Sequence, residues 1–257
     1  MIKACFFDID GTLYSHTTDR VPESAKNSLA RLRENGIKTV VCTGRSLSDY
    51  KKLPVAEIEF DGYLTLNGML CYDSEYNMFS GTPIPDEDMD VIKMMFFAEK
   101  IPMTIINEYG LAQNFVNQMV IDTQKDANED IPPEIMYKGK EIYQVSAFVD
   151  DEKRELLTNL LDYCDITSWH ETGVDIVAKG SGKDVGIMHY IEKYGIKREE
   201  TMAFGDGEND IRMLRYVGTG VAMGNAKEVV KMISDYVTAD IDDDGIEKAL
   251  KHFELIR

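Results

Sequence analysis

Two aspartates one residue apart, Asp8 and Asp10, follow the apolar run of residues 1–7, and a third, Asp206, stands between Gly205 and Gly207 after a second apolar run. In an extended chain, alternate side chains share a side, so Asp8 and Asp10 face one way and Ile9 the other. Carboxylates this close repel, and burial adds to the strain. A cation between them, or a raised pKa on one, relieves it. Such groups can attack an electrophile, pass protons or hold a hard metal ion. Gly11-Thr12 permits a sharp turn directly after them.

Three further segments carry chemistry. Thr43 and Gly44, in Cys42-Thr43-Gly44-Arg45, stand where a strand passes into a helix and amides point outward. Lys183 follows Gly180-Ser181-Gly182 in a first helical turn, where the helix dipole disfavours a cation, which suggests a reason elsewhere, such as neutralising Asp8. Gly205-Asp206-Gly207-Glu208-Asn209-Asp210 offers turn, cap and ligand residues together. The four histidines, His16, His170, His189 and His252, show neither ligand spacing nor triad company.

The elements that must position these residues follow a βα rhythm. Residues 22–34 begin with a proline, place Ala25, Leu29 and Leu32 on one face, and stop at Asn35-Gly36, which predicts a crossover helix. Residues 37–42 and 62–66 read as buried parallel strands, and Asn67-Gly68 as a hairpin turn. After Gly81 the pattern changes. A helix with an acidic start is followed by short strands around residues 107–110 and a polar stretch with Pro132-Pro133. A strand over 141–149, a helix over 151–163 and a hairpin around Thr172-Gly173 complete an α+β module with an antiparallel sheet. From Lys183 the rhythm resumes with a helix to Tyr194, strands at 201–204 and 219–223, and a helix at 211–216. The acidic run 240–244 reads as a solvated turn.

Taken together, Phe6-Phe7-Asp8-Ile9-Asp10-Gly11-Thr12-Leu13, residues 37–45, Lys183 and residues 205–210 resemble the four motifs of the haloacid dehalogenase (HAD) superfamily, in order and spacing. Residues 220–226 and Asp243-Asp244-Gly245-Ile246 resemble the closing segments of its Cof-type sugar-phosphatase branch. The resemblance implies an α/β fold, a HAD-like Rossmannoid parallel sheet flanked by helices, with an inserted α+β cap of the type called C2B. The expected division is a core of residues 1–81 and 181–257 and a cap of residues 82–180.

It also implies phosphoryl transfer through an aspartyl-phosphate. Asp8 would be the nucleophile and Asp10 the acid and base, with Mg²⁺ as cofactor. Asp8, Asp206, Asp210 and the backbone carbonyl of Asp10 would surround the metal. Thr43, Gly44, Lys183 and Asn209 would contact the phosphate. Arg45 would meet substrate or cap, or form a structural ion pair. Glu208 is left without a firm role. Trp169-His170 and Asn107-Glu108 are candidate contacts to the leaving group.

Composition narrows the partners. A formal net charge of -18 and a pI near 4.6 argue against nucleic acid and anionic membrane, and they make an anion site dependent on a cation and local donors. Cys5, Cys42, Cys71 and Cys164 lack metal spacing and suit buried thiols in a reducing compartment. No signal-like start precedes Asp8 and no apolar run is long enough for a span, so the expectation is a cytoplasmic monomer acting on a small phosphorylated metabolite. Two alternatives stand beside the hydrolase: a phosphosugar mutase, and a phosphometabolite sensor without catalysis. A mutase must grip a second phosphate, and Arg154 is the only arginine between Thr82 and Gly180.

Overall fold

The computed structural model describes residues 1–107, 110–126, 130–131, 133–134, 137 and 141–257. The chain divides into two compact units, Met1–Ser80 with Gly182–Arg257, and Gly81–Ser181. The first opens with β1 (Ala4–Phe7), α1 (Glu23–Glu34), β2 (Lys38–Cys42), the single turn α2 (Leu47–Tyr50), β3 (Gly62–Thr65), β4 (Leu70–Asp73) and β5 (Met78–Gly81). The inserted unit carries α3 (Asp86–Phe97), β6 (Met103–Asn107), β7 (Gly110–Gln113), α4 (Gln118–Asp126), β8 (Gln144–Phe148), α5 (Asp151–Leu160), β9 (Cys164–His170) and β10 (Gly173–Ala178). The chain then returns with α6 (Lys183–Tyr194), β11 (Thr201–Gly205), α7 (Ile211–Tyr216), β12 (Thr219–Ala222), α8 (Glu228–Ile233), β13 (Tyr236–Val237) and α9 (Gly245–His252).

The first unit is built on an eight-stranded sheet in the order β13-β12-β11-β1-β2-β3-β4-β5. From β13 to β3 every pairing is parallel, and β4 turns back antiparallel to β3. All four residues of β1 are fully buried, as a strand covered on both faces requires. The chain winds from β1 to β2 and β3 on one side and from β11 to β12 and β13 on the other. Winding therefore reverses between β1 and β11, and loops leaving their carboxyl ends diverge to open a crevice. Phe7 is in register with Phe204 and stacks on it at 4.9 Å, so Asp8 and Asp206 leave the sheet at nearly the same level.

Helix α6 reaches this edge through two glycines. Gly68 has φ +87 and a Cβ there would lie 2.7 Å from the Gly182 carbonyl oxygen, while one on Gly186 would lie 2.8 Å from Gly68 Cα. Backbone therefore packs on backbone, and a side chain at either position would push away the turn that carries Lys183. Behind the turn, Ile187 and Tyr190 of α6 and Met213 and Leu214 of α7 pack with Phe6, Val40, Leu64 and Ala203 of the sheet. Burial of each Ile, Leu, Val, Met or Phe side chain among these contributes about 1.5–3 kcal/mol. On α1, Ala25, Leu29 and Leu32 are buried as the spacing predicts, and the helix lies beside α9. All four cysteines are free and buried.

The inserted unit is a five-stranded antiparallel sheet, β7-β6-β8-β10-β9. Ile105, Val145 and Ile176 pack with Met89, Ile92 and Phe96 of α3 and Leu157 of α5. Their neighbours Thr104, Ser146 and Asp175 stand in register on the opposite face, where Ser146 Oγ donates to Asp175 Oδ1 at 2.6 Å. Two boundaries shift from the sequence reading: β8 starts at Gln144, and α5 stops at Leu160. Helix α4 went unread because its buried residues, Val120, Thr123 and Gln124, are mostly polar and give no apolar stripe. Helix α9 did carry a stripe, Ile246, Ala249 and Leu250, beyond the acidic run. Glu108 and Pro132 lie outside the described residues. No helix among the described residues is long and apolar enough to cross a membrane.

Candidate active site

Strand β1 ends at Phe7, and the next residue turns its carboxylate into the protein. Lys183 Nζ, fully buried, donates to Asp8 Oδ1 and to Asp210 Oδ1, each at 2.6 Å. Burial resolves the contradiction of a lysine at a helix start: two carboxylates hold it against the dipole. Asp210 Oδ2 accepts from the amides of Asp206 and Gly207, both at 2.9 Å, which folds the loop after β11 around it. Carboxylate oxygens of Asp8, Asp206 and Asp210 lie within 4.8 Å of one another. Gly11, at φ +80, leaves room for Asp206, which a Cβ there would strike. Thr12 Oγ1 donates to Asp206 Oδ1 at 3.2 Å.

The second aspartate of the first motif has different partners. Ile9 carbonyl oxygen accepts from the amides of Thr12, Leu13 and Tyr14, so the chain curls after the strand instead of continuing extended. Arg45 then grips Asp10 with a two-pronged fork, Nε to Oδ2 at 2.7 Å and Nη2 to Oδ1 at 2.9 Å. His16 Nε2 stands 3.0 Å from Asp10 Oδ1. The structure thus keeps the Asp10 carboxylate out of the Asp8, Asp206 and Asp210 cluster, and it places beside Asp10 a histidine to which the sequence reading gave no role. Nothing in the spacing of His16 could have revealed this.

Thr43 is buried, and its Oγ1 accepts from the Arg45 amide at 3.1 Å. Asn67, read from sequence only as a turn residue, joins the remaining pieces. Its backbone adopts φ 53, a conformation asparagine tolerates, and its amide donates to the Thr43 carbonyl oxygen at 2.8 Å. Asn67 Oδ1 accepts from Asn209 Nδ2 at 3.2 Å and stands over Gly44, where a Cβ would come within 3.2 Å of it. Thr43, Gly44 and Asn209 are therefore gathered around one side chain. Among the described residues, Glu208 pairs with exposed Lys227 alone.

The closing segments contribute more than a solvated turn. Asn225 Nδ2 donates to the Gly11 carbonyl oxygen at 2.8 Å and reaches Asp206 Oδ2 at 3.4 Å, while its Oδ1 accepts from the Ile241 amide at 3.0 Å. Asp242 accepts from Ser15 Oγ at 3.0 Å and from Thr18 Oγ1 at 3.4 Å. The acidic run thereby fastens the loop that follows the first motif. Trp169 packs edge-on against Phe148, and His170 Nδ1 pairs with Thr172 Oγ1 at 3.0 Å, both within the inserted unit.

Electrostatics follow from this crowding. Burial, then Asp210, pushes the Asp8 carboxyl well up, with Lys183 opposing. Burial, then Asp210, raises Asp206 to about 6. Burial alone would lower Lys183, but Asp210 and Asp8 outweigh it and hold the ammonium charged. Three carboxylates against one ammonium leave two negative charges, with hard oxygen donors only, which fits a divalent cation such as Mg²⁺. No donor among the described residues meets Asp8 Oδ2, whereas Asp210 Oδ2 accepts two amides and Asp210 Oδ1 accepts Lys183 and keeps one acceptor direction.

Comparison with known proteins gives the family. The profile of haloacid dehalogenase-like hydrolases matches residues 5–250. The protein YkrA of Bacillus subtilis (strain 168) is 33% identical over 258 residues, 99% of each chain. Among solved structures, BT1666 from Bacteroides thetaiotaomicron, described among phosphatases of the HAD enzyme superfamily, has a TM-score of 0.90 at 33% identity, covering 100% of this chain and 96% of that one. BT4131, described as a HAD subclass IIB sugar phosphatase, has a TM-score of 0.83 at 38% identity, covering 99% and 100%. The chain belongs to the haloacid dehalogenase-like hydrolase family. It is one of that family's phosphatases.

Proposed function

We propose that this chain is a Mg²⁺-dependent phosphomonoester hydrolase that works through an aspartyl-phosphate on small sugar phosphates or related phosphorylated metabolites. The observation that carries the reading is the buried cluster in which Lys183 bridges Asp8 and Asp210 while no donor among the described residues meets Asp8 Oδ2. That oxygen is the nucleophile, and a lysine beside it offsets charge as a phosphate approaches. Asp8, Asp206, Asp210 and the Asp10 carbonyl would hold the metal, which when bound supplies positive charge to the phosphoryl oxygens. Thr43 Oγ1, the Gly44 amide, Lys183 and Asn209 bind and orient the phosphoryl group. Asp10 protonates the leaving oxygen and later takes a proton from the hydrolytic water. Arg45 serves that acid through its fork on Asp10.

The substrate class draws on BT4131, which is described as a sugar phosphatase. Division into a core of residues 1–81 and 181–257 and a cap of residues 82–180 belongs to the same reading, as does a monomer in a reducing cytoplasm that keeps four buried thiols free. The test is phosphate release from a panel of sugar phosphates and an aryl phosphate, with Mg²⁺ or with chelator. Metal-dependent release is expected. A folded, Mg²⁺-supplied protein that releases nothing would favour the mutase or sensor instead.

Metal binding should also be visible in stability. Asp206 titrates near 6 when folded, above the ordinary carboxylate value, so the metal-free folded state binds its proton more tightly than the unfolded chain does. This group's contribution is present at low pH and is lost as pH rises toward about 6, and Asp8, also raised, acts in the same direction. A dication replaces those protons and restores the loss. Thermal melts should therefore show Mg²⁺ raising Tm by several degrees at about pH 8 and by little at about pH 5. Equal shifts at both would argue against a metal among these carboxylates.

A further inference from the structure

We propose that His16 is a positioning residue for Asp10, selecting which carboxylate oxygen carries the proton delivered to the leaving group. The inference rests on the reading of Asp10 as the acid. Asp10 sits beyond the end of β1 with about a third of its side chain exposed, so packing alone does not orient it. A carboxylate oxygen has about two acceptor directions. Oδ1 takes Arg45 Nη2 at 2.9 Å and His16 at 3.0 Å, which uses both, while Oδ2, among the described residues, takes Arg45 Nε alone at 2.7 Å. Oδ2 alone retains a direction for a proton.

The imidazole is more exposed than Asp10, and its support comes from a ring contact and from the fastening of its loop. His16 lies edge-on to Tyr14, with centroids 5.1 Å apart at 84°, and the Tyr14 hydroxyl donates to Asp19. The residues flanking this loop are fastened through Ser15 and Thr18 to Asp242. Because its neighbour is an acceptor, His16 presents Nε2–H, which donates whether the ring is neutral or charged.

In the transfer step an Asp8 oxygen forms its bond to phosphorus as the bond from phosphorus to the leaving oxygen breaks. The electron pair of that bond goes to the leaving oxygen, which takes the Asp10 Oδ2 proton and departs as an alcohol. Without His16, Oδ1 regains an open direction, the proton distributes over both oxygens, and the carboxylate can turn about its fork.

Leaving groups separate this role from a general structural one. An alkyl phosphate needs the proton, whereas a nitrophenyl phosphate departs as a stable anion. His16→Ala should lower the ratio of alkyl to nitrophenyl turnover by about ten-fold, and His16→Gln, whose amide N–H reaches to a similar place, should restore most of it. Equal loss on both substrates, or no change in the ratio, would overturn the role of His16 while leaving the hydrolase reading intact. Wild-type protein that releases no phosphate from either ester in Mg²⁺ would overturn both.

Discussion

Replacing Asp8 by asparagine should abolish phosphate release, with turnover down by at least about 10⁴-fold, while leaving the protein folded. Asparagine keeps the shape and can still accept from Lys183, but its amide is no nucleophile toward phosphorus. The stability change should run opposite to the activity change. Asp8 sits with Asp206 and Asp210 around a single ammonium, so removing one charge relieves repulsion in the metal-free protein. Phosphate release measured alongside a thermal melt checks both halves: Tm in chelator should hold or rise. Turnover within about ten-fold of wild type would exclude Asp8 as the nucleophile.

Lys183→Met should have the largest effect on stability. The substitution keeps length and removes the charge, leaving Asp8 and Asp210 buried against each other without the ammonium that bridges them at 2.6 Å. Breaking a buried ion pair from one side costs about 3–5 kcal/mol, which in a protein of this size lowers Tm by about 10 °C. Adding Asp210→Asn should recover a substantial part, because the second change removes one stranded charge. Urea denaturation in chelator measures both. A loss under about 1 kcal/mol for Lys183→Met would mean that the protein relaxes around the cluster and does not depend on the lysine. Activity should fall too, since the same ammonium faces the nucleophile.

Much of the fold was legible because its signals are local. Pro22 and Gly36 bracket α1, Gly195 in a left-handed turn at φ 64 ends α6, and the central strands read as continuous apolar runs. Lys183 was legible for a subtler reason: a cation in a first turn conflicts with the local dipole, and its burial now explains that conflict. Other residues gave no such sign. Asn67 was plain as a turn residue, but its contacts with Gly44 and Asn209 depend on a hairpin meeting the loop after β11. Asp242 looked like one acid among several, and its bonds to Ser15 and Thr18 cross more than two hundred residues of chain. His16 belongs to a curl after β1 that the alternation argument for Asp8 and Asp10 does not anticipate.

Sequence alone therefore determined the kinds of groups available, the strands that end in them and the order in which they come. Tertiary structure decided the partners. Asp8 and Asp10 stand two residues apart, yet one pairs with a lysine 175 residues away and the other with an arginine 35 away. The reason is physical: strand and helix signals act over a few residues, whereas an ion pair forms only where packing brings a donor within about 3 Å. Here that packing came from the reversal of winding at β1 and β11 and from two glycines that let α6 reach the sheet edge.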